Sequence, residues 1–304
     1  MVFTASERAK INGGDRSKAH GRSIYRRGEV MSTAAPTLDP EEIWNSIRCE
    51  VEAEVRREPI LASFLHATIL KHTRLEDALS FHLASKLATP SLPSMLVREL
   101  IDDALRAEPA ISHAIIRDLL AVRERDPASH GFWQPFLYFK GFHAIQCHRI
   151  AHAIWVRDRH SLAIYLQNRI SEIFAVDIHP AAQIGTGILI DHGTSVVIGE
   201  TAVVEDNVSM LHEVTLGGTG KAVGDRHPKI RQGVLIGAGA KVLGNIEVGE
   251  GAKIAASSVV LEPVPPHCTV AGVPARIVGR PEYDQPAREM NQSLTGRHDS
   301  GSGI

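Results

Sequence analysis

The feature that most constrains the fold is a six-residue period that begins near residue 178. Small or aliphatic residues recur at every sixth position, and glycines stand beside many of them. A period of six fits neither an α-helix nor one long strand with alternating faces. It fits a short strand followed by a tight turn, with three such units closing one triangular coil of a parallel β-helix. The series consists of Ile178, Ile184, Ile190, Val196, Ala202, Val208, Val214, Val234, Ala240, Ile246, Ala252, Ser258 and Val264.

The six-residue series is interrupted between Val214 and Val234. These two positions are 20 residues apart, two more than three six-residue units need. The segment between them contains two stretches rich in glycine and charged residues, 217–221 and 225–229, which do not suit a core. We therefore expect a loop over 217–233 that leaves the coil, and loops on rigid scaffolds are where function tends to concentrate.

Upstream of the six-residue period, the sequence has the pattern of amphipathic helices. Apolar residues recur every four positions in two series, and proline residues divide the region into helices of ordinary length. Thr73 and Glu76 have the spacing of a capping box at the start of the second series. We therefore predict an α+β protein, with an α-helical domain over 41–172 and a β-helix over 173–274. The two series are Ile43, Ile47, Val51 and Val55, and Leu75, Leu79, Leu83 and Leu87.

Both ends of the chain lack these patterns. Residues 1–30 contain seven Lys or Arg and three Asp or Glu, with no apolar run of the kind that a secretory signal needs. We expect a disordered extension over 1–40, and Met31 offers a second plausible start. Residues 275–304 are polar and aperiodic, which predicts a flexible C-terminal tail.

The composition is that of a globular protein and argues against several classes of function. Lys and Arg number 33 against 35 Asp and Glu, so the basic excess typical of nucleic-acid binders is missing. No uninterrupted apolar stretch is long enough to predict a transmembrane helix. The three cysteines are far apart, which predicts neither a disulfide framework nor a cysteine zinc site and fits a cytoplasmic location. They are Cys49, Cys147 and Cys268.

Four strings resemble motifs of the serine O-acetyltransferases of cysteine biosynthesis, in the hexapeptide-repeat acyltransferase superfamily. They are AVRERDPASHGFWQPFLYFKGFHA, DIHPAAQIGTGILIDHGT, VTLGGTGKAVGDRHPKI and AGVPARIVG. The repeat alone implies only an acyltransferase or a relative, whereas the strings together are specific to this enzyme. The resemblance implies that the β-helix is left-handed. It also implies transfer of the acetyl group of acetyl-CoA to the hydroxyl of L-serine, without a metal.

His192 is the candidate general base. Acetyl transfer to an alcohol needs a base that works near neutral pH, and histidine suits that task. His192 lies two residues after Ile190, so we expect it on the coil surface. A base also needs an orienting partner. The spacing allows contact with Asp177 without showing it, and the resemblance implies that Asp177 and His192 form the catalytic dyad.

The serine site needs acids for an ammonium group and a cation for a carboxylate. The resemblance implies that Asp126 and Asp191 contact the ammonium, and that Arg226 and His227 lie near the carboxylate. Without the resemblance, Asp126 would be interpreted as a helix-ending Asp-Pro turn and Arg226 as a solvated loop charge.

Coenzyme A is long and carries phosphates, so a groove that binds it needs small residues for close approach and cations. The resemblance implies that Gly218, Ala238 and Lys253 serve this purpose. It further implies a homotrimer or a dimer of trimers, and L-cysteine as a feedback inhibitor. The C-terminal Ile304 is expected to bind the next enzyme of the pathway, O-acetylserine sulfhydrylase, by capture of an aliphatic side chain and a terminal carboxylate.

Three alternatives remain open at this point. The γ-type carbonic anhydrases use the same coil and gather three histidines on zinc, for which the chain offers four candidates; its helical region and GDRHPKI string do not fit that pattern. A hexapeptide acetyltransferase with another hydroxyl acceptor is the second alternative, and a non-catalytic assembly scaffold is the third. The four candidate histidines are His179, His192, His212 and His227.

Overall fold

The structure, a computed structural model, describes residues 39–221 and 223–294. Most of the expected N-terminal extension over 1–40 and the C-terminal Ile304 lie outside the described residues. Eight α-helices come first, with a 3₁₀ turn at Pro59–Leu61 and a π-helical turn at His66–Leu70. They are α1 (Pro40–Arg57), α2 (Ala62–Leu65), α3 (Leu75–Leu87), α4 (Ser94–Ala107), α5 (Ala110–Arg125), α6 (Trp133–Tyr138), α7 (Lys140–Trp155) and α8 (His160–Phe174).

The two predicted apolar series form the buried faces of α1 and α3. Every member is buried except Val55, which packs against the core from a half-buried position. The N-terminus of α1 has a capping box. The Asp39 side chain accepts from the backbone N–H of Glu42, and the Glu42 side chain accepts from the backbone N–H of Asp39. None of the described helices is long and apolar enough to cross a membrane.

The capping box predicted at Thr73 and Glu76 does not form. Helix α3 begins at Leu75 with Arg74 as its N-cap residue, and no side chain caps it. The carbonyl of Thr73 instead accepts a hydrogen bond from the indole of Trp44 at 2.9 Å, and Glu76 pairs with Arg74 at 3.3 Å. Tertiary contacts therefore replace the local cap that the spacing suggested.

Short strands follow α8 and stack in three sheets around a triangular coil. Sheet A has the order β1-β4-β7-β10-β13, sheet B β11-β8-β5-β2, and sheet C β15-β14-β12-β9-β6-β3. All neighbours are parallel except β14 and β15. The strands are β1 (Val176–Ile178), β2 (Gln183–Ile184), β3 (Leu189–Ile190), β4 (Val196–Ile198), β5 (Val203–Val204), β6 (Ser209–Met210), β7 (Thr215–Gly217), β8 (Lys229–Ile230), β9 (Leu235–Ile236), β10 (Lys241–Leu243), β11 (Glu247–Val248), β12 (Lys253–Ile254), β13 (Val259–Val260), β14 (Thr269–Gly272) and β15 (Ala275–Gly279).

The members of the six-residue series face the interior, but the coils differ in length from the expectation. Val176 pairs with Val196, so the first coil takes 20 residues. The coil that holds the loop takes 26 residues, because Thr215 pairs with Lys241. The loop is shorter than the predicted 217–233, since Gly217 still belongs to β7, and β8 returns to the coil at Lys229 with a buried Ile230.

The C-terminal segment differs from the predicted flexible tail over 275–304. Strand β15 pairs antiparallel with β14. An antiparallel pair needs no six-residue period, so the spacing of apolar residues did not predict this strand. A short helix, α9 (Pro286–Glu289), then packs on sheet C, where the hydroxyl of Ser209 donates to the carbonyl of Ala287 at 2.8 Å. Through residue 294, this segment is therefore part of the folded molecule.

Candidate active site

His192 lies in the turn between β3 and β4, at the corner that joins sheet C to sheet A (corner C–A). Its backbone φ is 58°, in the left-handed region that histidine enters more readily than most residues. The side chain is 71% exposed, and its Nε2 is 3.8 Å from Oδ2 of Asp191. An exposed ring nitrogen at a rigid corner is available to a substrate hydroxyl, as a general base must be.

His212 lies one coil along the same corner. Its ring meets that of His192 edge-on, with centroids 5.7 Å apart, and its buried Nδ1 has no hydrogen-bond partner among the described residues. From the sequence, His212 is only a candidate zinc ligand, since coils of three six-residue units would place residue 210 beside His192. The observed 20-residue coil places residue 212 directly beside residue 192.

The N-terminus of α7 packs tightly on this corner. A Cβ atom on Gly141 would lie 1.9 Å from the carbonyl oxygen of Ile190, and one on Gly193 would lie 3.2 Å from the Cα of Gly141. The ammonium of Lys140 also contacts the hydroxyl of Thr194. The helical domain thus fixes the backbone on both sides of His192.

Asp126 and Asp191 line one cavity of about 510 Å³ beside the same corner. Asp126 ends α5, and its Oδ1 accepts from the backbone N–H of Ala128 at 2.8 Å, so it also forms the turn that its Asp-Pro sequence suggested. Burial raises the pKa of Asp191, and the neighbouring carboxylate of Asp126 raises it further, while the imidazole of His192 acts in the opposite direction. Two carboxylates sharing a cavity favour a cation between them.

Arg226 is held by an acidic residue of the neighbouring coil. Its Nη2 lies 2.6 Å from Oε2 of Glu200, and this hydrogen bond lowers the pKa of Glu200. The guanidinium keeps other N–H groups for a ligand, because Arg carries five donors.

His227 folds back from the loop onto the coil. A Cβ on Gly199 would lie 2.1 Å from its ring, so any larger residue there would displace His227. Its Nδ1 receives hydrogen bonds from Thr201, and burial lowers its pKa. Arg226 and His227 therefore lie together at the corner that joins sheet A to sheet B (corner A–B).

Within one chain, the predicted serine-binding residues form two groups rather than one. His192 and Asp191 lie at corner C–A, Arg226 and His227 lie at corner A–B, and sheet A runs between the two corners. Asp177 lies in the middle of β1 in that sheet and accepts from Nε2 of Gln167 at 2.6 Å. Across residues 39–221 and 223–294, it makes no ion pair with His192.

The three predicted CoA-binding residues are also separated. Gly218 begins the loop at corner A–B, whereas Ala238 lies between β9 and β10 at corner C–A. Lys253, in β12, is buried beneath the segment 281–293, and its ammonium donates to the carbonyl of Ser293. Burial lowers the pKa of Lys253.

The four histidines considered for zinc are divided between the corners. His192 and His212 lie at corner C–A, whereas His179 and His227 lie at corner A–B. In the part of the chain that the structure describes, no cluster of three or more His, Cys, Asp or Glu side chains is arranged to hold a metal ion.

A helical domain followed by a hexapeptide coil, with an exposed corner histidine, defines an acyltransferase of the hexapeptide class. The family model for the bacterial transferase hexapeptide (six repeats) matches residues 227–262. The model for the N-terminal part of serine acetyltransferase matches residues 43–147, in the helical domain. These matches cover both parts of the fold.

The chain belongs to the serine acetyltransferase family. The serine acetyltransferase of Salmonella typhimurium (strain LT2) is 57% identical over 272 residues, which are 88% of this chain and 100% of that protein. A serine acetyltransferase solved in complex with cysteine is 57% identical, with a TM-score of 0.82 over 84% of this chain and 99% of the other. The Brucella abortus enzyme solved with coenzyme A is 57% identical, with a TM-score of 0.78 over 80% and 96%. The predicted fold, a helical domain before a left-handed β-helix, is confirmed.

Proposed function

We propose that the protein transfers the acetyl group of acetyl-CoA to the hydroxyl of L-serine. The products are O-acetyl-L-serine and CoA, and the reaction is the first step of cysteine biosynthesis. The observation that carries this proposal is the identity of 57% to a serine acetyltransferase across that protein's full length. A relative solved with coenzyme A supports acetyl-CoA as the co-substrate.

His192 acts as the general base in the proposed mechanism. It removes the serine hydroxyl proton while the oxygen attacks the thioester carbonyl, and the tetrahedral intermediate collapses with expulsion of the CoA thiolate. The proton then passes from the imidazolium to the sulfur. This role is supported by the exposure of the ring and by the rigid corner that α7 fixes. General bases of this kind contribute typically about 10²- to 10⁴-fold.

The substrate's own charges orient it. Asp126 and Asp191 bind the ammonium, since both line the cavity beside His192. Arg226 and His227 bind the carboxylate, supported by the guanidinium geometry that Glu200 fixes.

We further propose that each serine site is completed by two copies of the chain. The support is that one chain places its acidic group and His192 at corner C–A, and its cationic group at corner A–B. In a homotrimer whose threefold axis is parallel to the long axis of the β-helix, corner C–A of one copy meets corner A–B of the next. Asp177, on sheet A between the corners, then orients His192 of the neighbouring copy. Pairing of two trimers through the helical domains belongs to the same proposal.

Mixing two inactive variants tests the shared site. His192→Ala and Arg226→Ala copies are unfolded together, refolded as mixed oligomers and assayed for serine-dependent thiol release. Random mixing leaves both residues intact in about a quarter of sites shared between copies. Recovery near that fraction supports the shared site, and absence of recovery in well-assembled mixtures contradicts it. Refolded wild-type copies serve as the control.

The acetyl-CoA groove is proposed to use Gly218, Ala238 and Lys253. Because Gly218 and Ala238 occupy different corners, this groove also runs between two copies. Lys253 reaches a phosphate once its contact with Ser293 opens. Lys253→Ala is expected to raise the KM for acetyl-CoA more than the KM for serine, in initial-rate measurements.

Three further assignments belong to this proposal. L-Cysteine inhibits by binding at the serine site, supported by the relative solved with cysteine. O-Acetylserine sulfhydrylase binds the C-terminal Ile304, by resemblance alone; deletion of Ile304 is expected to abolish co-elution of the two enzymes. A cytoplasmic location is supported by the three cysteines, which are all free thiols.

A further inference from the structure

Thr201 makes four hydrogen bonds to two residues of the loop, Arg226 and His227. Its hydroxyl oxygen accepts from the backbone N–H of Arg226 at 3.0 Å and from that of His227 at 3.1 Å. Its own backbone N–H lies 3.2 Å from Nδ1 of His227, and its hydroxyl lies 2.9 Å from the same atom. One threonine thus fixes both the backbone and the imidazole of this segment.

These contacts determine which nitrogen of His227 carries the proton. The Thr201 hydroxyl oxygen uses both of its lone pairs to accept the two backbone N–H groups, so its remaining role toward Nδ1 is that of donor. The backbone N–H of Thr201 is also a donor. Nδ1 therefore faces two donors and acts as an acceptor, and a neutral imidazole in this state carries its proton on Nε2.

The first coil shows the same use of a backbone N–H. The Nδ1 of His179 accepts from the backbone N–H of Ala181 at 3.1 Å. Residues 178 and 198 pair, so Gly199 and Thr201 are the equivalents of His179 and Ala181 one coil later. His227 therefore supplies, from the loop, the imidazole that Gly199 lacks, and its Nδ1 accepts from the equivalent backbone N–H.

We propose that Thr201 is a positioning residue for the reaction, holding His227 as the neutral tautomer protonated at Nε2. The Nε2–H is then a fixed donor for the carboxylate of the substrate, beside the Arg226 guanidinium. This inference rests on the proposed function, because it takes serine as the ligand. A proton on Nδ1 would face the backbone N–H and the hydroxyl of Thr201, which are both donors. Burial of His227 also disfavours the doubly protonated, charged imidazolium.

Thr201→Val tests the role of the hydroxyl, with Thr201→Ser as the matched control that retains it. We expect Thr201→Val to raise the KM for serine about tenfold, because a hydrogen-bonded carboxylate loses an oriented donor. The kcat and the KM for acetyl-CoA should stay within about threefold, and Thr201→Ser should restore the serine KM. An unchanged serine KM in the valine variant, or the same loss in the serine variant, overturns the proposal.

A spectroscopic measurement decides the tautomer without relying on activity. Nitrogen-15 NMR spectra of the protein labelled only at histidine, with His227→Gln to assign the resonances, distinguish protonated from unprotonated ring nitrogens. We expect His227 to show an unprotonated Nδ1 and a protonated Nε2 in the wild type and in Thr201→Ser. A protonated Nδ1 in the wild type overturns the proposal even if Thr201→Val fails to fold. Absence of serine-dependent CoA release from wild type refutes the proposed function instead, while the spectrum still tests Thr201.

Discussion

Asp118 in α5 and Arg149 in α7 form a buried ion pair, with Oδ2 and Nη2 2.8 Å apart. Asp118 also accepts from Nε2 of Gln146 at 3.0 Å and from the backbone N–H of Ile188 at 2.9 Å. Arg149 in turn donates to the carbonyl of Gly185 at 2.7 Å. This network ties two helices to the first coil, so the helical domain and the β-helix are joined by satisfied buried charges.

Asp118→Asn is expected to destabilise the protein strongly. Removing one partner leaves a buried guanidinium without its counter-charge, which costs about 3–5 kcal/mol in comparable pairs. The measurement is the free energy of unfolding in urea at one protein concentration. Asp103→Asn, which breaks the exposed pair with Arg106, is the control and should leave the midpoint unchanged. Equal effects of the two variants would refute the importance of burial.

Gly141→Ala is expected to disturb the corner that holds His192. The added methyl meets the carbonyl of Ile190, and backbone cannot move aside cheaply, so we expect a loss of stability of about 1–3 kcal/mol and a lower kcat. Gly131→Ala is the matched control: its methyl meets the Glu50 carboxylate, which accepts from the backbone N–H groups of Phe132 and Trp133, so it should cost stability without lowering kcat. Thermal unfolding and serine-dependent initial rates are measured for both. A Gly141 variant with wild-type kcat contradicts this packing argument.

Three buried histidines make stability sensitive to acid. Burial lowers the pKa of His82 to about 4 and that of His143 and His148 to about 3. Below about pH 6.5 these histidines bind protons in the unfolded chain but stay neutral in the folded chain. The free energy of unfolding is therefore highest above that pH and falls as the pH decreases toward 4. Each of these histidines should lower the free energy of unfolding by about 2 kcal/mol between pH 7.5 and pH 5.0.

Urea unfolding at pH 7.5 and at pH 5.0 measures this loss. His143→Gln keeps a donor for the carbonyl of Phe136, with which His143 bonds at 2.8 Å, and removes the titration. The variant should lose about 2 kcal/mol less stability on acidification than the wild type. An identical loss in both proteins would show that His143 does not contribute to the pH dependence.

Asp126→Asn tests the ammonium site. The serine ammonium loses one of its two proposed carboxylate partners. We therefore expect the KM for serine to rise about tenfold or more, while the KM for acetyl-CoA changes little. The pKa of Asp191 should also fall, because Asp126 contributes to its elevation. Glu54→Gln is the control, since Glu54 pairs with Arg57 in α1, outside the cavity that Asp126 and Asp191 line, and its loss should leave the serine KM unchanged. Initial rates with each substrate varied in turn provide the measurement.

Periodicity predicted the parts of the fold that depend on one buried residue per repeat. Of the six-residue series, Ile184 and Ile246 are half-buried and the other members are buried. The six-residue period does not reveal residues inserted at a turn, because turn residues do not face the core and need not be apolar. For that reason the 20-residue first coil was missed, and with it the place of His212 beside His192.

Contacts between distant segments had no signal in the spacing. The burial of Lys253 depends on the segment that contains Ser293, whose strand and helix follow no hexapeptide pattern. Nothing in the spacing distinguishes Thr201, and only the path of the loop brings it to His227. The candidate active site was therefore predicted by residue type through resemblance, while its division between two corners required the structure.

The proposed mechanism depends on His192 as the base that activates serine. The direct test is the release of CoA thiol from acetyl-CoA in the presence of L-serine, comparing wild type with His192→Ala at matched folding and assembly. We expect serine-dependent release by the wild type and a fall in kcat of about 10²- to 10⁴-fold in the variant. Release by the variant at the wild-type rate would contradict the role of His192 while leaving the transferase activity in place.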